Sequence, residues 1–414
     1  MEYGLIGAKL GHSFSKEIHA QIADYDYELC ELTLEGVDTL LRERKFRAIN
    51  VTIPYKETVI PYLDVVSEDA QKIGAVNTIV NRDGRLYGYN TDYAGAAALI
   101  RHAGVNVTGK KALILGTGGT SKTLRTVVKD LGAAEIHIVS RHPKAEEISY
   151  AEAATIHKDA EIIVNTTPVG MYPNNFASAV SLEDFPNLSG VIDVVYNPLA
   201  TQLVLDAQKR GVPAEGGLVM LAAQAVYASA LFTGKKAEEA LIERAYQTVL
   251  QEKRNLVLIG MPSCGKTTVG KMLAEKTGRS YLDTDEMIVN RESRSISDIF
   301  ASDGEAAFRT MEREIISEAA KLSGTVIATG GGAAMDMKNI EALRQNGILI
   351  FLDRPLEALT ATADRPLASD VEALKKRFAE RYSTYCEVCN VRIVNDQTPE
   401  QAVKEILKAT GGRV

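Results

Sequence analysis

Short apolar runs along the first part of the chain alternate with stretches in which apolar residues recur every three to four positions. Tyr3-Gly4-Leu5-Ile6-Gly7 predicts a strand, and the spacing of Ile18 and Ile22 predicts one face of a helix. A second strand is expected over Tyr27 to Leu32, a helix around Val37 to Leu41, and a third strand in Phe46 to Ile53, where the apolar run meets polar groups and Pro54. Asn77 to Val80 and Leu86 to Tyr89 flank Asp83-Gly84, a two-residue hairpin signal. From Lys111 onward the pattern becomes more regular. Strands are expected over Lys111 to Leu115, Ile136 to Val139, Ile162 to Val164 and Val191 to Val195, and Leu124, Val127, Val128 and Leu131 mark an intervening helix. Two helices, Gly217 to Leu231 and Ala237 to Leu250, precede the apolar run Asn255 to Ile259. Strands alternating with helices in this way predict an α/β fold built on parallel sheets.

Where these strands end, the turns carry chemistry. After Asn255 to Ile259 comes Gly260-Met261-Pro262-Ser263-Cys264-Gly265-Lys266-Thr267-Thr268, the G-x-x-x-x-G-K-T pattern of a phosphate-binding loop. Glycines let consecutive N–H groups point at phosphate oxygens, and the following helix turns its positive end toward the anion. Lys266 is expected to reach the β and γ phosphates, and Thr267 to offer its hydroxyl to Mg²⁺. Such a loop normally follows the first strand of its domain, so residues 1 to about 250 form something else. Within them, Gly116-Thr117-Gly118-Gly119-Thr120-Ser121 joins a strand to a helix in the manner of a dinucleotide-binding unit. The next strand ends in Ser140-Arg141-His142-Pro143-Lys144. A carboxylate there would suit a ribose 2′-OH, whereas Arg141 and Lys144 suit a 2′-phosphate, which favours NADPH over NADH; the alternative is that both are solvated surface cations.

Ser13 and Ser15 stand in a glycine-flanked loop before a helix, which Ser15 alone could cap. Lys56 falls near a strand's carboxyl end, where ligands gather in open α/β sheets. Asn90-Thr91-Asp92 ends the hairpin's second arm, and Thr91 or Asp92 could cap the helix beginning near Tyr93. Ketone reduction by hydride transfer builds negative charge on the carbonyl oxygen and needs a proton donor. Lys56 can supply that proton, with Asp92 orienting its ammonium group and accepting from a substrate hydroxyl.

Length and charge narrow the field. The 414 residues exceed one ordinary core, and about 150 residues per domain predicts two or three units. A net charge of −7 argues against nucleic acid as the main partner and leaves small anions as the expected ligands. Four cysteines are too few for a disulfide scaffold and fit a reducing cytosol. Cys386 and Cys389 have CxxC spacing but no second pair to complete a zinc site. The first residues lack the pattern of an export signal, and no run of about 18 apolar residues predicts a membrane span. The expected setting is cytoplasmic, with no membrane partner.

Six segments in order, Gly11-His12-Ser13-Phe14-Ser15, Asn50 through Lys56, Gly74 through Thr78, Asn90-Thr91-Asp92, Gly116 through Gly119 and Met220 through Gln224, resemble shikimate dehydrogenase over nearly all of residues 1–235. That resemblance implies Lys56 and Asp92 as the catalytic pair, and Ser13, Ser15, Thr52, Asn77, Asp92, Tyr196 and Gln224 around the substrate. It further implies Gly116, Gly118, Gly119, Thr120, Ser140, Arg141, Lys144 and Gly217 at NADPH. The family's usual proline and asparagine in the first helix are Lys16 and Ala20 here. Beyond the phosphate loop, Tyr281-Leu282-Asp283-Thr284-Asp285, Phe308-Arg309, Val326 through Gly332, Arg365-Pro366-Leu367 and Arg377 through Tyr382 resemble shikimate kinase over residues 255–414. The implied roles are Mg²⁺ at Thr267 and Asp283, and ATP at Gly260, Ser263, Gly265, Lys266, Thr267, Thr268 and a lid residue, Arg365. Asp285 would hold the hydroxyl to be phosphorylated, so Asp285 and Lys266 are the catalytic pair of this half. Arg309, Gly331, Gly332 and Arg381 would bind the substrate. Paired arginines suit a small carboxylate because their planar forks bind it bidentately.

The expected fold is therefore an α/β substrate domain (1–105 and 215–250) with a Rossmann-like NADP domain (106–214), followed by a P-loop α/β kinase domain with a parallel sheet (254–414). The expected reactions are NADPH-dependent reduction of 3-dehydroshikimate to shikimate and its ATP-dependent phosphorylation to shikimate 3-phosphate. Two other readings stand beside this one: a quinate/shikimate dehydrogenase of broader use with an attached kinase, and a non-catalytic pathway sensor. A sensor would be free to lose Lys56, Asp92, Lys266 or the Asp-x-Asp carboxylates, and all are present. A homodimer is left open.

Overall fold

Three sheets organise the chain in the computed structural model, which describes residues 1–11, 13–144, 146–359 and 371–412. The first contains β1 (Tyr3–Gly7), β2 (Tyr27–Glu31), β3 (Ala48–Val51), β4 (Val65–Val66), β5 (Thr78–Arg82) and β6 (Arg85–Tyr89), in the order β2-β1-β3-β5-β6-β4. β5 runs antiparallel to both β3 and β6. Its amino end therefore lies at the same sheet edge as the carboxyl ends of β1, β3 and β6. The β5–β6 turn forms as expected: Asp83 and Gly84 both take positive φ (52° and 82°), the backbone of a twisted hairpin turn. Ile6, Ile49, Ile79 and Leu86 are fully buried against Val37 and Leu41 of the helix Leu34–Glu43.

The second sheet contains β7 (Lys111–Leu115), β8 (Glu135–Ser140), β9 (Glu147–Ser149), β10 (Ile162–Asn165), β11 (Gly190–Asp193) and β12 (Ala214–Glu215), in the order β12-β11-β10-β7-β8-β9 with every pairing parallel. The strand order reverses beside β7, and the glycine turn follows β7. This is the switch point at which open parallel sheets bind ligands. The helices Asp92–His102 and Leu218–Thr233 pack together beside these sheets. The second of them is apolar on almost all sides, as a helix enclosed by protein should be.

The third sheet contains β13 (Asn255–Ile259), β14 (Ser280–Asp283), β15 (Thr325–Ala328), β16 (Gly347–Asp353) and β17 (Val391–Val394), all parallel, in the order β14-β15-β13-β16-β17. β13, central and buried along its whole length, leads into the phosphate loop. The chain divides into two compact units, Met1–Val249 and Leu250–Val414. Helix Glu239–Lys253 ends one residue before β13. No helix among the described residues is long and apolar enough to cross a membrane.

Candidate active sites

The strand directions of the first sheet explain why residues distant in sequence meet. Ser13 and Ser15 follow β1, Thr52 and Lys56 follow β3, Asn77 precedes β5 and Asp92 follows β6, so all six leave one sheet edge. They line a cleft of about 720 Å³ together with Thr120, Tyr196, Gly217 and Gln224 from the second sheet's turns and the helix Leu218–Thr233. Lys56 Nζ lies 2.6 Å from Asp92 Oδ2. Asp92 is 4% exposed in its side chain, and Asn77 Nδ2 donates to its Oδ1 at 2.9 Å. A buried carboxylate needs such partners, and here both of its oxygens have them. The Val76 N–H, donating to the Lys56 carbonyl at 2.8 Å, fixes the lysine's backbone.

Neither capping alternative is realised. Thr91 and Asp92 make no side-chain cap at Asp92–His102. At the first helix, Ser15–Ile22, Ser15 is not the cap. The Ser15 N–H donates to Ser13 Oγ at 3.2 Å, and the two hydroxyls are 3.0 Å apart, so the serines form one polar pair facing the cleft. The helix begins at Ser15 although Lys16 replaces the usual proline.

The dinucleotide turn is built for close approach. Gly118 precedes the helix Gly119–Asp130 with no side-chain cap, leaving its first N–H groups available to a ligand, and side chains at Gly118 or Gly119 would meet open space. Gly116 is different: its φ is 106°, and a Cβ there would press on Thr166 and Thr167. Ser140, Arg141 and Lys144 follow β8 at the same carboxyl edge; both cations are exposed, and Ser140 Oγ accepts from the His142 N–H at 3.2 Å. These donors, with no carboxylate among residues 140–144, fit a phosphorylated dinucleotide. Gly217 is pressed against the Val194 carbonyl, where no side chain fits.

In the second unit, Thr267, Asp283, Asp285, Arg309, Gly331, Gly332 and Arg381 line a pocket of about 430 Å³. Thr267 Oγ1 donates to Asp283 Oδ2 at 3.2 Å, placing together the hydroxyl and carboxylate that fit Mg²⁺. The phosphate loop carries positive φ at Gly260, Ser263 and Gly265, and Thr268 is exposed on its helix. Lys266 does not extend from the loop in this conformation. Its ammonium group donates to the Gly260 and Met261 carbonyls at 2.9 and 2.8 Å. Arg381 is buried and donates to the Gly331 carbonyl at 2.9 Å, and Tyr385 donates to the same oxygen. Arg365 lies outside the described residues.

Sequence reasoning missed Glu312, one turn beyond Arg309 on the helix Ile296–Ala319. It is 1% exposed and accepts from Arg309 at 2.7 Å, while its Oε1 is buried without a hydrogen bond. Burial pushes its carboxyl above the usual range; Arg309 opposes the shift and neighbouring Asp285 adds to it. A side chain at Gly330 would collide with Asp285 and Glu312, and one at Gly332 with the Arg309 guanidinium. The triple glycine thus lets two carboxylates and a guanidinium crowd one wall. The i, i+3 spacing from Arg309 was the available signal.

Also missed was His19, buried among the residues that line the first cleft and stacked on Tyr27 with ring centroids 3.8 Å apart. Burial lowers it to about 3, whereas an unfolded histidine titrates near 6.5. Between those values the unfolded chain holds a proton that the folded one lacks, so stability is full above about 6.5 and falls as pH drops. The slope is about 1.4 kcal/mol per pH unit. In urea unfolding at pH 6.5 and 5, His19→Gln should reduce the first unit's loss of stability by about 2 kcal/mol. Equal losses in parent and variant would show that His19 is not the group responsible.

Glu135, His137 and His157 cluster closely enough to share a metal ion. However, the histidine rings lie 3.9 Å apart, and the Lys111 ammonium stands 3.4 Å from Glu135, where it competes with a cation. Cys386 and Cys389 join no metal cluster among the described residues.

Fold and geometry together define an NADP-dependent oxidoreductase of the doubly wound α/β class joined to a P-loop phosphotransferase. Family models match at residues 5–79, the shikimate dehydrogenase substrate binding domain, and at residues 262–410, shikimate kinase. A shikimate dehydrogenase (NADP(+)) of Clostridium perfringens is 38% identical over 263 residues, covering 59% of this chain and 97% of that protein. The crystal structure of the Thermus thermophilus shikimate 5-dehydrogenase in complex with NADP(H) and shikimate is 32% identical with a TM-score of 0.54, covering 59% of this chain and 98% of that one. A chorismate mutase/shikimate 5-dehydrogenase fusion protein of Clostridium acetobutylicum is 34% identical with a TM-score of 0.56, covering 60% and 96%. The chain belongs to the shikimate dehydrogenase family and carries a shikimate kinase domain.

Proposed function

We infer that this polypeptide reduces 3-dehydroshikimate to shikimate with NADPH and then phosphorylates shikimate with ATP. The observation that carries the first step is the Lys56–Asp92 pair at 2.6 Å, in a cleft also lined by Ser13, Ser15, Thr52, Asn77 and Gln224 and by Thr120 of the dinucleotide turn. NADPH supplies the hydride when bound. Lys56 gives a proton to the oxygen where negative charge grows, and Asp92 holds the ammonium group and accepts from a substrate hydroxyl. The two serines offer hydroxyl donors to the substrate's carboxylate, and Tyr196 and Gln224 line the same cleft. An enzyme using NADPH and ATP together suits the cytoplasm.

In the second unit, Arg309 and Arg381 bind the substrate carboxylate and Asp285 accepts the proton of the attacking hydroxyl. Thr267 and Asp283 would hold Mg²⁺, which offsets phosphate charge when bound. Lys266 exchanges two loop carbonyls for phosphate oxygens, so the loop holds its cation in place before ATP arrives. Incubation with 3-dehydroshikimate, NADPH and Mg-ATP should give NADPH loss followed by ADP formation. The absence of either signal would refute that half of the reading.

The 2′-phosphate gives a separate test. Arg141→Ala should raise the KM for NADPH roughly tenfold to a hundredfold, the effect of losing a charge-assisted hydrogen bond, and leave NADH nearly unchanged. Equal weakening of both cofactors would make Arg141 a structural residue.

A further inference from the structure

The two arginines of the kinase pocket are held by different means. Arg309 is tied to two carboxylates, Glu312 at 2.7 Å and Glu305 at 3.1 Å. Arg381 forms no ion pair among the described residues, and its hydrogen bond there goes to a neutral acceptor, the Gly331 carbonyl, at 2.9 Å. Burial disfavours its charged form, and the neighbouring charges of Arg377 and Arg309 add to that effect. The place of Arg381 therefore depends on where one carbonyl points.

That carbonyl belongs to a residue that does not fix its own orientation. Gly331 has to be glycine, because a Cβ there would stand 2.8 Å from Pro262 Cδ and 3.2 Å from Pro262 N, in the phosphate loop. Without a side chain the backbone is open to conformations that other residues refuse. The preceding residue is tied on both sides: the Gly330 N–H donates to Thr284 Oγ1 at 3.2 Å, and the Gly330 carbonyl accepts from the Ala333 N–H at 3.2 Å. Among the described residues the Gly331 carbonyl is held from one element alone, the helix Val371–Val388. Its donors are Arg381 Nη1 and Tyr385 Oη, four residues apart on one helix face.

These donors are not equivalent. Tyr385 is fully buried, and its ring stacks on Phe351 of β16 with centroids 5.1 Å apart and planes at 22°, so packing on the ring fixes where the hydroxyl ends. Burial also raises the phenol's pKa, which keeps the hydroxyl a donor. Arg381 ends a long side chain with many torsions to order. The rigid donor sets the carbonyl, and the flexible one follows it.

We propose that Tyr385 is a positioning residue of the kinase site, whose hydroxyl orients the Gly331 carbonyl and through it holds the Arg381 guanidinium ready for the substrate's carboxylate. The proposal rests on the kinase reading above. Arg381, Gly331 and Pro262 line the pocket and Tyr385 stands behind them, so its effect falls on shikimate binding more than on turnover.

Tyr385→Phe keeps the ring and its stacking and removes the hydroxyl. In the full chain it should raise the KM for shikimate roughly tenfold, while kcat changes less than about threefold and the KM for ATP less than about twofold. A packing role alone would lower resistance to urea and leave the KM for shikimate at the parent value, and that result would overturn the proposal. Arg381→Lys should raise the same KM by itself, and adding Tyr385→Phe to it should change little further. Losses that multiply would mean that Tyr385 acts by a route other than Arg381 and would reject the inference. Crystal structures of the parent and Tyr385→Phe chains give a test without reference to activity. The variant should show the Gly331 carbonyl turned or the Arg381 guanidinium displaced, and superimposable positions of both would overturn the proposal. The reductase rate of each sample reports that the first unit is intact. No kinase activity in the parent protein would count against the functional reading, and the crystal comparison would still decide the inference.

Discussion

Lys56→Met should lower the rate of 3-dehydroshikimate reduction by a factor on the order of 10²–10⁴ and leave shikimate phosphorylation unchanged. Methionine matches the length of the lysine side chain and removes its proton. In the parent the ammonium group lies 2.6 Å from Asp92, and its side chain is 21% exposed. It therefore keeps access to the cleft while its other side is held. The variant leaves Asp92 with Asn77 as a partner, so the carboxylate is not stranded without a hydrogen bond. Substrate affinity should change much less than turnover, because Ser13, Ser15, Thr52 and Gln224 remain. Steady-state assays of both reactions on one sample check this, and near-normal reduction would sink the assignment of Lys56 as the acid.

How much of this site was legible follows from what fixes each residue. Lys56, Asp92 and the phosphate loop could be read because each sits at the end of a strand predicted by its apolar run. The sheet's edge then brings those ends together. The hairpin turn was legible for the same reason: Asp83-Gly84 has a local backbone requirement. His19 and Glu312 were not legible. Each lies inside a helix, on a face whose burial depends on elements far away in sequence. His19 is covered by Tyr25 and Tyr27 of a strand and its approach, and Glu312 by the glycine turn after β15. Helical spacing shows which positions share a face, but it does not say that a charged residue on that face will be buried beside a second carboxylate. Likewise, the loop sequence raised the expectation that Lys266 meets phosphate but could not give its partners in the structure. Those are the loop's own Gly260 and Met261 carbonyls.

The second large effect is expected at Asp285. Asp285→Asn should lower phosphorylation by a factor on the order of 10²–10⁴ while reduction proceeds at the parent rate. Phosphoryl transfer asks little covalent chemistry of the protein, so holding the attacking hydroxyl and taking its proton are the main tasks open to a side chain here. Asp285 and Glu312 both crowd Gly330, but only one is suited to the task. Glu312 is engaged with Arg309 at 2.7 Å and its carboxyl is pushed up by burial. Asp285 lies at the start of the helix Thr284–Glu292, with its N–H donating to Asp283 Oδ1 at 3.0 Å, next to the groups that fit Mg²⁺. Glu312→Gln should therefore act differently, raising the KM for shikimate through a less well held Arg309 and changing kcat far less. Comparing kcat and KM for the two variants separates the roles. If Asp285→Asn altered KM alone, or if Glu312→Gln removed turnover instead, the base would have to be reassigned to Glu312.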